Sequence, residues 1–161
     1  MATRTHDAGR MRIGLISDTH GLLRPEALER LRGCDRIVHG GDIGNAGILE
    51  QLAALAPLTA VRGNNDRDDW ARDVPETALL QCGAVRICVI HDLSALAIDA
   101  AAEGVRVVVS GHSHRPRVDE RGGVLYVNPG SAGPRRFSLP IAVGELRVEG
   151  DRVEARIVEL P

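Results

Sequence analysis

Five of the six histidines in the chain, His20, His39, His91, His112 and His114, stand at or just after the end of a short apolar run. Only His6 lies elsewhere, in the polar N-terminal stretch. The carboxylates Asp18 and Asp42 and the carboxamide Asn64 occupy the same kind of position. Histidines scattered over a surface would not be sorted in this way. Imidazoles mixed with carboxylates suit Mn, Fe, Zn, Ni or Co better than Ca or Mg, which favour oxygen donors. The set is large enough for two ions, and a carboxylate between two ions can bridge them about 3.5–4 Å apart, the spacing of two-metal phosphoester hydrolysis. The densest part is Gly111-His112-Ser113-His114. In extended backbone, residues two apart project to the same side, so both imidazoles can lean into one site, with Gly111 letting the chain bend.

The elements that must carry these residues can be read from the apolar pattern. Residues 12–17 (RIGLIS) form a run typical of a central strand, and it ends at Asp18-Thr19-His20-Gly21. Pro25 opens a helix with Leu28 and Leu31 on one side, and Gly33 stops it. Residues 35–39 form a second strand leading into Gly40-Gly41-Asp42. Asn45 caps a second helix, built on Ile48, Leu49, Leu52 and Leu55 and ended by Pro57. Residues 58–61 form a third strand, ending in Arg62-Gly63-Asn64-Asn65-Asp66. This β-α-β-α-β order implies parallel strands with right-handed crossovers, and sites in such sheets form outside the carboxyl ends of the strands.

The second half is richer in hairpins. Residues 77–82 and 85–90 turn at Gly83 and deliver His91-Asp92. The Ala-rich residues 94–103 read as a helix, and 105–109 as a buried strand before the His112-His114 pair. Further hairpins are expected over 117–127, turning at Gly122-Gly123, and over 141–160 around Gly150-Asp151, with a tight turn at Asn128-Pro129-Gly130-Ser131 between them.

Composition narrows the class. The 161 residues suit one domain over 11–161, with 1–10 as a polar, disordered extension. All the basic residues are Arg, scattered without a block, and the net charge of −2 argues against a general nucleic-acid binder. No apolar run approaches membrane-span length and no signal segment opens the chain. The three cysteines, Cys34, Cys82 and Cys88, are odd in number and lack C-x-x-C spacing, so they read as reduced core residues of a cytoplasmic protein.

The ordered series Asp18-Thr19-His20, Gly41-Asp42, Gly63-Asn64, His91 and Gly111-His112-Ser113-His114 resembles the calcineurin-like metallophosphoesterases, and within them the small prokaryotic phosphodiesterase branch. The resemblance covers essentially all of residues 11–161. It implies an α/β fold (α+β by some schemes) in which two packed mixed β-sheets form a sandwich flanked by helices. It implies two divalent transition-metal ions, Mn foremost, with Ni, Fe, Zn or Co as the other choices. One would be held by Asp18, His20 and His114, the other by Asn64, His91 and His112, with Asp42 bridging them. The expected reaction is in-line attack of a metal-bridging hydroxide on a small-molecule phosphoester, most simply a diester. The alternatives are a phosphomonoesterase or nucleotidase using the same site, and a non-catalytic protein-binding scaffold of the same fold.

Two positions depart from the family pattern. Asn65 stands where many relatives carry His, and Asn cannot deliver a proton at neutral pH. Asp92 follows His91 where relatives usually have Gly; it either orients an imidazole or caps the next element. Asn65 and Asp66 are the candidate catalytic side chains. For Asp66, a contact to substrate or water competes with an Asx-turn role. Asn65, Arg135 and Arg136 are the candidate substrate contacts, with Arg115 also near the motif loops. His39 reads as a packed or supporting histidine, and Arg62 as a structural partner of a carboxylate. Trp70 either packs a short helix or forms an oligomer contact, so a homo-oligomer stays open.

Overall fold

The structure, a computed structural model, describes residues 10–161. The disorder expected of the first nine residues lies outside that range. Arg10 differs from expectation: it belongs to the first strand and pairs with Glu149, so regular structure starts one residue before Met11.

Two five-stranded sheets make up the architecture. In the first, β1 (Arg10–Ile16), β2 (Arg36–His39) and β3 (Leu58–Ala60) run parallel. They are extended by the antiparallel hairpin β9 (Ala142–Glu149) and β10 (Arg152–Glu159), giving the order β10-β9-β1-β2-β3. In the second, β5 (Val85–Ile90), β6 (Val107–Val109) and β8 (Val124–Asn128) run parallel. The edge strands β4 (Thr77–Cys82) and β7 (Arg117–Arg121) pair antiparallel with β5 and β8. The inner faces meet in one core: Ile13, Leu15, Val38 and Leu146 from the first sheet pack with Ile87, Val89, Val107 and Val127 from the second. With so few aromatic residues, β-branched and Leu side chains fill this layer, as they do in packed sheets.

The helices cover the outer face of the first sheet. In α1 (Pro25–Leu31), Pro25 sits in the first turn, and Ala27 and Leu31 are buried. In α2 (Ala46–Ala53), the Asn45 side chain accepts from the Ile48 N–H, and Ile48 and Leu52 are buried. Both helices pack on Ile16, Ile37 and Val143. Trp70, in the short 3-10 turn Asp69–Ala71, packs against the same cluster, which accounts for it as a packing residue.

The helix expected over 94–103 does not form. A 3-10 turn spans Leu93–Ala95, Leu96 leaves it in extended conformation (φ −66°, ψ 119°), and overlapping turns follow, with Glu103 N–H to Asp99 O at 3.0 Å and Gly104 N–H to Ala101 O at 3.2 Å. Alanine propensity alone is weak, and short helices depend on a packed apolar stripe. Here Leu93, Leu96, Ala100 and Val105 must all reach Cys88, Ile90, Val108 and Val124 on the outer face of the second sheet. An irregular path meets that demand where one helix face would not.

Candidate metal centre

All six parallel strands end on the same side, and the histidine and carboxylate motifs follow those ends. Asp18 and His20 follow β1, Asp42 follows β2, and Asn64 follows β3. His91 follows β5, and His112 and His114 follow β6, so the two sheets contribute to one cleft. Backbone bonds tie neighbouring loops together within each sheet, with Asp18 N–H to Gly41 O and His20 N–H to Asp42 O, both 2.9 Å, in the first and Gly111 N–H to His91 O at 3.0 Å in the second, and His112 N–H donates to Asp18 Oδ2 at 3.1 Å between them.

The backbone is bent hard at this point. Six non-glycine residues among those described have positive φ, and five of them are Asp18 (54°), His20 (47°), Asp42 (56°), His112 (75°) and His114 (64°). The sixth is Phe137 on a neighbouring loop. Left-handed backbone costs an L-residue roughly 1–2 kcal/mol, and such strain clusters where function over-determines the geometry. Space is equally tight. A Cβ on Gly63 would overlap the Asp42 carboxylate, and one on Gly111 would overlap Ser17 Oγ.

Two sets of ligand atoms converge, each with every member within 4.8 Å of the others: Asp18, His20 and His114, and Asp18, Asp42 and His91. On one side, His20 Nε2 lies 3.3 Å from His114 Nε2 and 3.7 Å from Asp42 Oδ2, while His114 Nε2 lies 3.5 Å from Asp18 Oδ1. On the other, His91 Nε2 lies 3.3 Å from Asp42 Oδ2 and 3.1 Å from Asn64 Oδ1. Asp42 Oδ2 thus faces both sides. His91 Nδ1 is 2.8 Å from the Gly40 carbonyl, which can only accept, so in the neutral ring Nδ1 carries the hydrogen and Nε2 the lone pair. That lone pair points at two further electron-rich oxygens. Asp18 Oδ1 and His114 Nδ1 are buried without a hydrogen-bond partner. An electron-rich cluster of this kind needs positive charge, and a divalent cation fits the donor set.

The titration behaviour has the same origin. Burial pushes the Asp18 carboxyl up to about 6, against the pull of His91 and the hydrogen bond from Ser17. Burial also acts on Asp42, but hydrogen bonding from His91 in its protonated form and from the Asn65 N–H, with the charges of His91 and His20, holds it well below the usual carboxylate range. Although burial disfavours its cation, His91 is raised by Asp42 and Asp18. His114 is lowered to about 4 by burial and by the nearby charges of Arg136 and His20.

The other expected residues divide. His112 sits edge-on to His91, with ring centroids 5.1 Å apart, but its ring is half-exposed and its Nε2 lies 3.9 Å from Asp92 Oδ2. It is at the rim, outside the two compact groups. Of the two roles considered for Asp92, the cap is the one made by hydrogen bonds: Oδ1 accepts from Ser94 N–H and Oγ at the 3-10 turn, while Oδ2 lies 3.9 Å from His112 Nε2, beyond hydrogen-bond reach. His39 is fully buried, accepts from the Gly41 N–H at Nδ1 and lies 3.0 Å from Thr19 Oγ1 at Nε2, so it is a packing histidine that braces the Asp42 loop.

The two candidate catalytic residues, Asp66 and Asn65, both make hydrogen bonds that hold the site loops. Asp66 is buried, and its carboxylate accepts from the N–H groups of Ile43, Gly44 and Gly63, so it ties the Asp42 and Asn64 loops together and leaves no oxygen for substrate. Asn65 spends its amide on Asp42, with Nδ2 to Oδ2 at 3.1 Å and its N–H to Oδ1 at 2.9 Å. Arg135 Nη1 bonds the Leu139 carbonyl, whereas Arg136 is close enough for its charge to act on His114. Arg62 pairs with Glu76 at 3.4 Å, as expected. Ser17 and Ser131 lie in motif segments, but the residue pattern assigned neither a contact: Ser17 donates to Asp18 Oδ2, and Ser131 Oγ donates to the Asp18 carbonyl.

A two-sheet sandwich with Asp, His and Asn converging at its parallel strand ends defines a metallophosphoesterase-type fold and site. The chain belongs to the calcineurin-like phosphoesterase superfamily, whose domain model matches residues 11–151. It is 34% identical over 160 residues to a probable metallophosphoesterase of Methanothermobacter thermautotrophicus, covering 92% of each chain. It is 26% identical to a phosphodiesterase of Methanocaldococcus jannaschii, covering 92% of this chain and all of that one. Among solved structures, Vacuolar Protein Sorting 29 of Cryptosporidium parvum superposes with a TM-score of 0.81 at 21% identity, over 94% of this chain and 92% of that one. A novel archaeal phosphodiesterase superposes with a TM-score of 0.77 at 25% identity, over 93% of this chain and all of that one.

Proposed function

We propose that this protein is a dinuclear metal-dependent phosphodiesterase. The observation that carries the reading is Asp18 Oδ1: buried, unpartnered, and common to both converging groups of ligand atoms. In this reading Asp18, His20 and His114 hold one ion, Asn64, His91 and His112 hold the other, and Asp42 lies between them. Mn is the first choice, with Ni, Fe, Zn or Co as alternatives. When bound, such ions acidify water so that it can attack phosphorus near neutral pH, and they neutralise the phosphoryl oxygens.

The protein's own groups do the positioning. Asn65 fixes both oxygens of Asp42. Gly40 O orients the His91 ring through Nδ1. Arg136 brings positive charge to the His114 side, where it can meet a phosphoryl oxygen. Asn65 can donate a hydrogen bond but not a proton, so esters with good leaving groups should react fastest.

The test is hydrolysis of bis-4-nitrophenyl phosphate with added Mn²⁺ or Ni²⁺. Activity is expected to vanish with chelator and in Asp42→Ala; activity unaffected by either would overturn the reading. The scaffold alternative draws on the likeness to Vacuolar Protein Sorting 29, which from Chaetomium thermophilum has been solved with a cyclic peptide. The filled ligand positions favour the enzyme. A phosphomonoesterase or nucleotidase would use the same atoms, and 4-nitrophenyl phosphate in parallel separates it. A cytoplasmic location belongs to the same proposal, and three free, buried cysteines are consistent with it.

A further inference from the structure

Beside the metal centre lies a second hollow of about 240 Å³, whose wall includes His112 itself. Arg115, Arg117 and Arg121 line it, together with Ser113 and Tyr126. Arg117 and Arg121 stand at the two ends of β7, four residues apart, an even spacing that projects them to one face. They share a single carboxylate oxygen, Asp119 Oδ2, at 3.4 and 3.2 Å. One carboxylate oxygen therefore serves two guanidiniums. The Arg121 guanidinium also lies over the Tyr126 ring, its Cζ 4.3 Å from the centroid, a cation–π contact that holds it at this wall. Arg115 makes no ion pair among the described residues, and Asp92 is the only carboxylate in the lining.

Ser113 adds a donor. Its Oγ accepts from the Arg115 N–H and from Asn128 Nδ2, both at 3.2 Å. A hydroxyl has two acceptor lone pairs and one hydrogen, so with both lone pairs engaged the hydrogen is left to donate outward. A concave wall with surplus guanidinium charge and a directed hydroxyl suits a phosphate-sized anion, to which Arg binds with two parallel hydrogen bonds.

We propose that this hollow is an anion subsite that takes a second phosphate carried on the substrate, next to the ester being cleaved. The inference rests on the phosphodiesterase reading and names its substrate class: diesters with an additional phosphate on one arm. Nothing in the metal site requires this second charge; it is the β7 arginines and Ser113 that select for it.

Two measurements test it. The first compares 4-nitrophenyl propyl phosphate with its counterpart whose propyl arm ends in a phosphate. The phosphate-bearing diester should have kcat/KM higher by about tenfold, the order expected of charge-assisted contacts. In Arg115→Gln and in Arg117→Gln that ratio should fall toward one, and in Arg117→Lys it should fall less. A wild-type ratio near one overturns the proposal.

The second is independent of catalysis: inorganic phosphate titrated into the chelator-treated protein, followed by amide NMR. Saturable shifts at Ser113 and Arg115 are expected, weakened in both Gln variants. No saturable shift, or shifts that ignore the substitutions, overturns the proposal. If phosphate binds but the kinetic ratio is one, the hollow takes free phosphate and the substrate-borne assignment is wrong. If neither diester is hydrolysed, the phosphodiesterase reading fails, while the titration still decides whether the hollow binds phosphate.

Discussion

Asn65 grips Asp42 at both oxygens, through its backbone N–H at 2.9 Å to Oδ1 and its side-chain amide at 3.1 Å to Oδ2. Asn65 therefore fixes the carboxylate lying between the two halves of the site. Groups that orient a metal ligand commonly matter about 10–100-fold in affinity or activity. Asn65→Ala is expected to weaken Mn²⁺ affinity by about tenfold or more and to lower kcat/KM on bis-4-nitrophenyl phosphate. Calorimetric metal titration and kinetics read the two effects separately. Unchanged metal affinity would remove Asn65 from this role.

Asp18 predicts an inverse relation between stability and metal binding. Its folded pKa is raised to about 6 by burial, above the ordinary carboxylate value, so the native state resists its ionisation. In metal-free protein the contribution is neutral while Asp18 is protonated in both states. It turns unfavourable as pH rises from the ordinary value through about 6, and stays so above that. Asp18→Asn should therefore stabilise the chelator-treated protein at pH 8, by about 1–3 kcal/mol, and remove the metal-induced rise in Tm. Denaturant melts at pH 5 and pH 8, with and without Mn²⁺, check this. A variant less stable than wild type at pH 8 without metal would contradict it.

Cations that bind only the folded site must raise Tm with concentration. At a hundredfold excess over Kd, the gain is about 2.7 kcal/mol per site. Thermal melts across an Mn²⁺ series, reversed by chelator, measure it. Asp42→Ala, which removes the ligand facing both groups, should flatten the series.

Gly63 allows no side chain, because a Cβ there would overlap the Asp42 carboxylate and backbone. Gly63→Ala is expected to displace Asp42, lowering metal-dependent activity by about a hundredfold or more. The core between the sheets does not involve Gly63, so far-UV circular dichroism should stay close to wild type. Full activity in this variant would mean that the loop yields more easily than its packing implies.

Much of this site could be read from residue order alone. Apolar runs of three to eight residues became strands, and motif residues after those runs became the rim of one cleft. That inference works because parallel strands with covering helices must all end on one side. Asn45, the cap of α2, and Pro25, in the first turn of α1, also behaved as local chemistry dictates. The Ala-rich stretch over 94–103 did not, because its path is set by four apolar contacts to the second sheet.

What the sequence by itself determined is the donor set and its place at strand ends. Those follow from local polarity and the side-chain chemistry of Asp, His and Asn. Only the tertiary structure decided the division of labour among them. It turned Asp66 inward onto three backbone N–H groups and Asn65 onto Asp42, and it left His112 at the rim facing Asp92. It also placed Asp18, His20, Asp42, His112 and His114 in left-handed backbone, which Asp and His tolerate better than most L-residues but which local sequence did not demand at these five positions. The reason is physical: the cleft gathers strand ends from two separate sheets, and the short loops that leave those ends aim their side chains at a common point only through a conformation that the packed sheets, not the local sequence, impose.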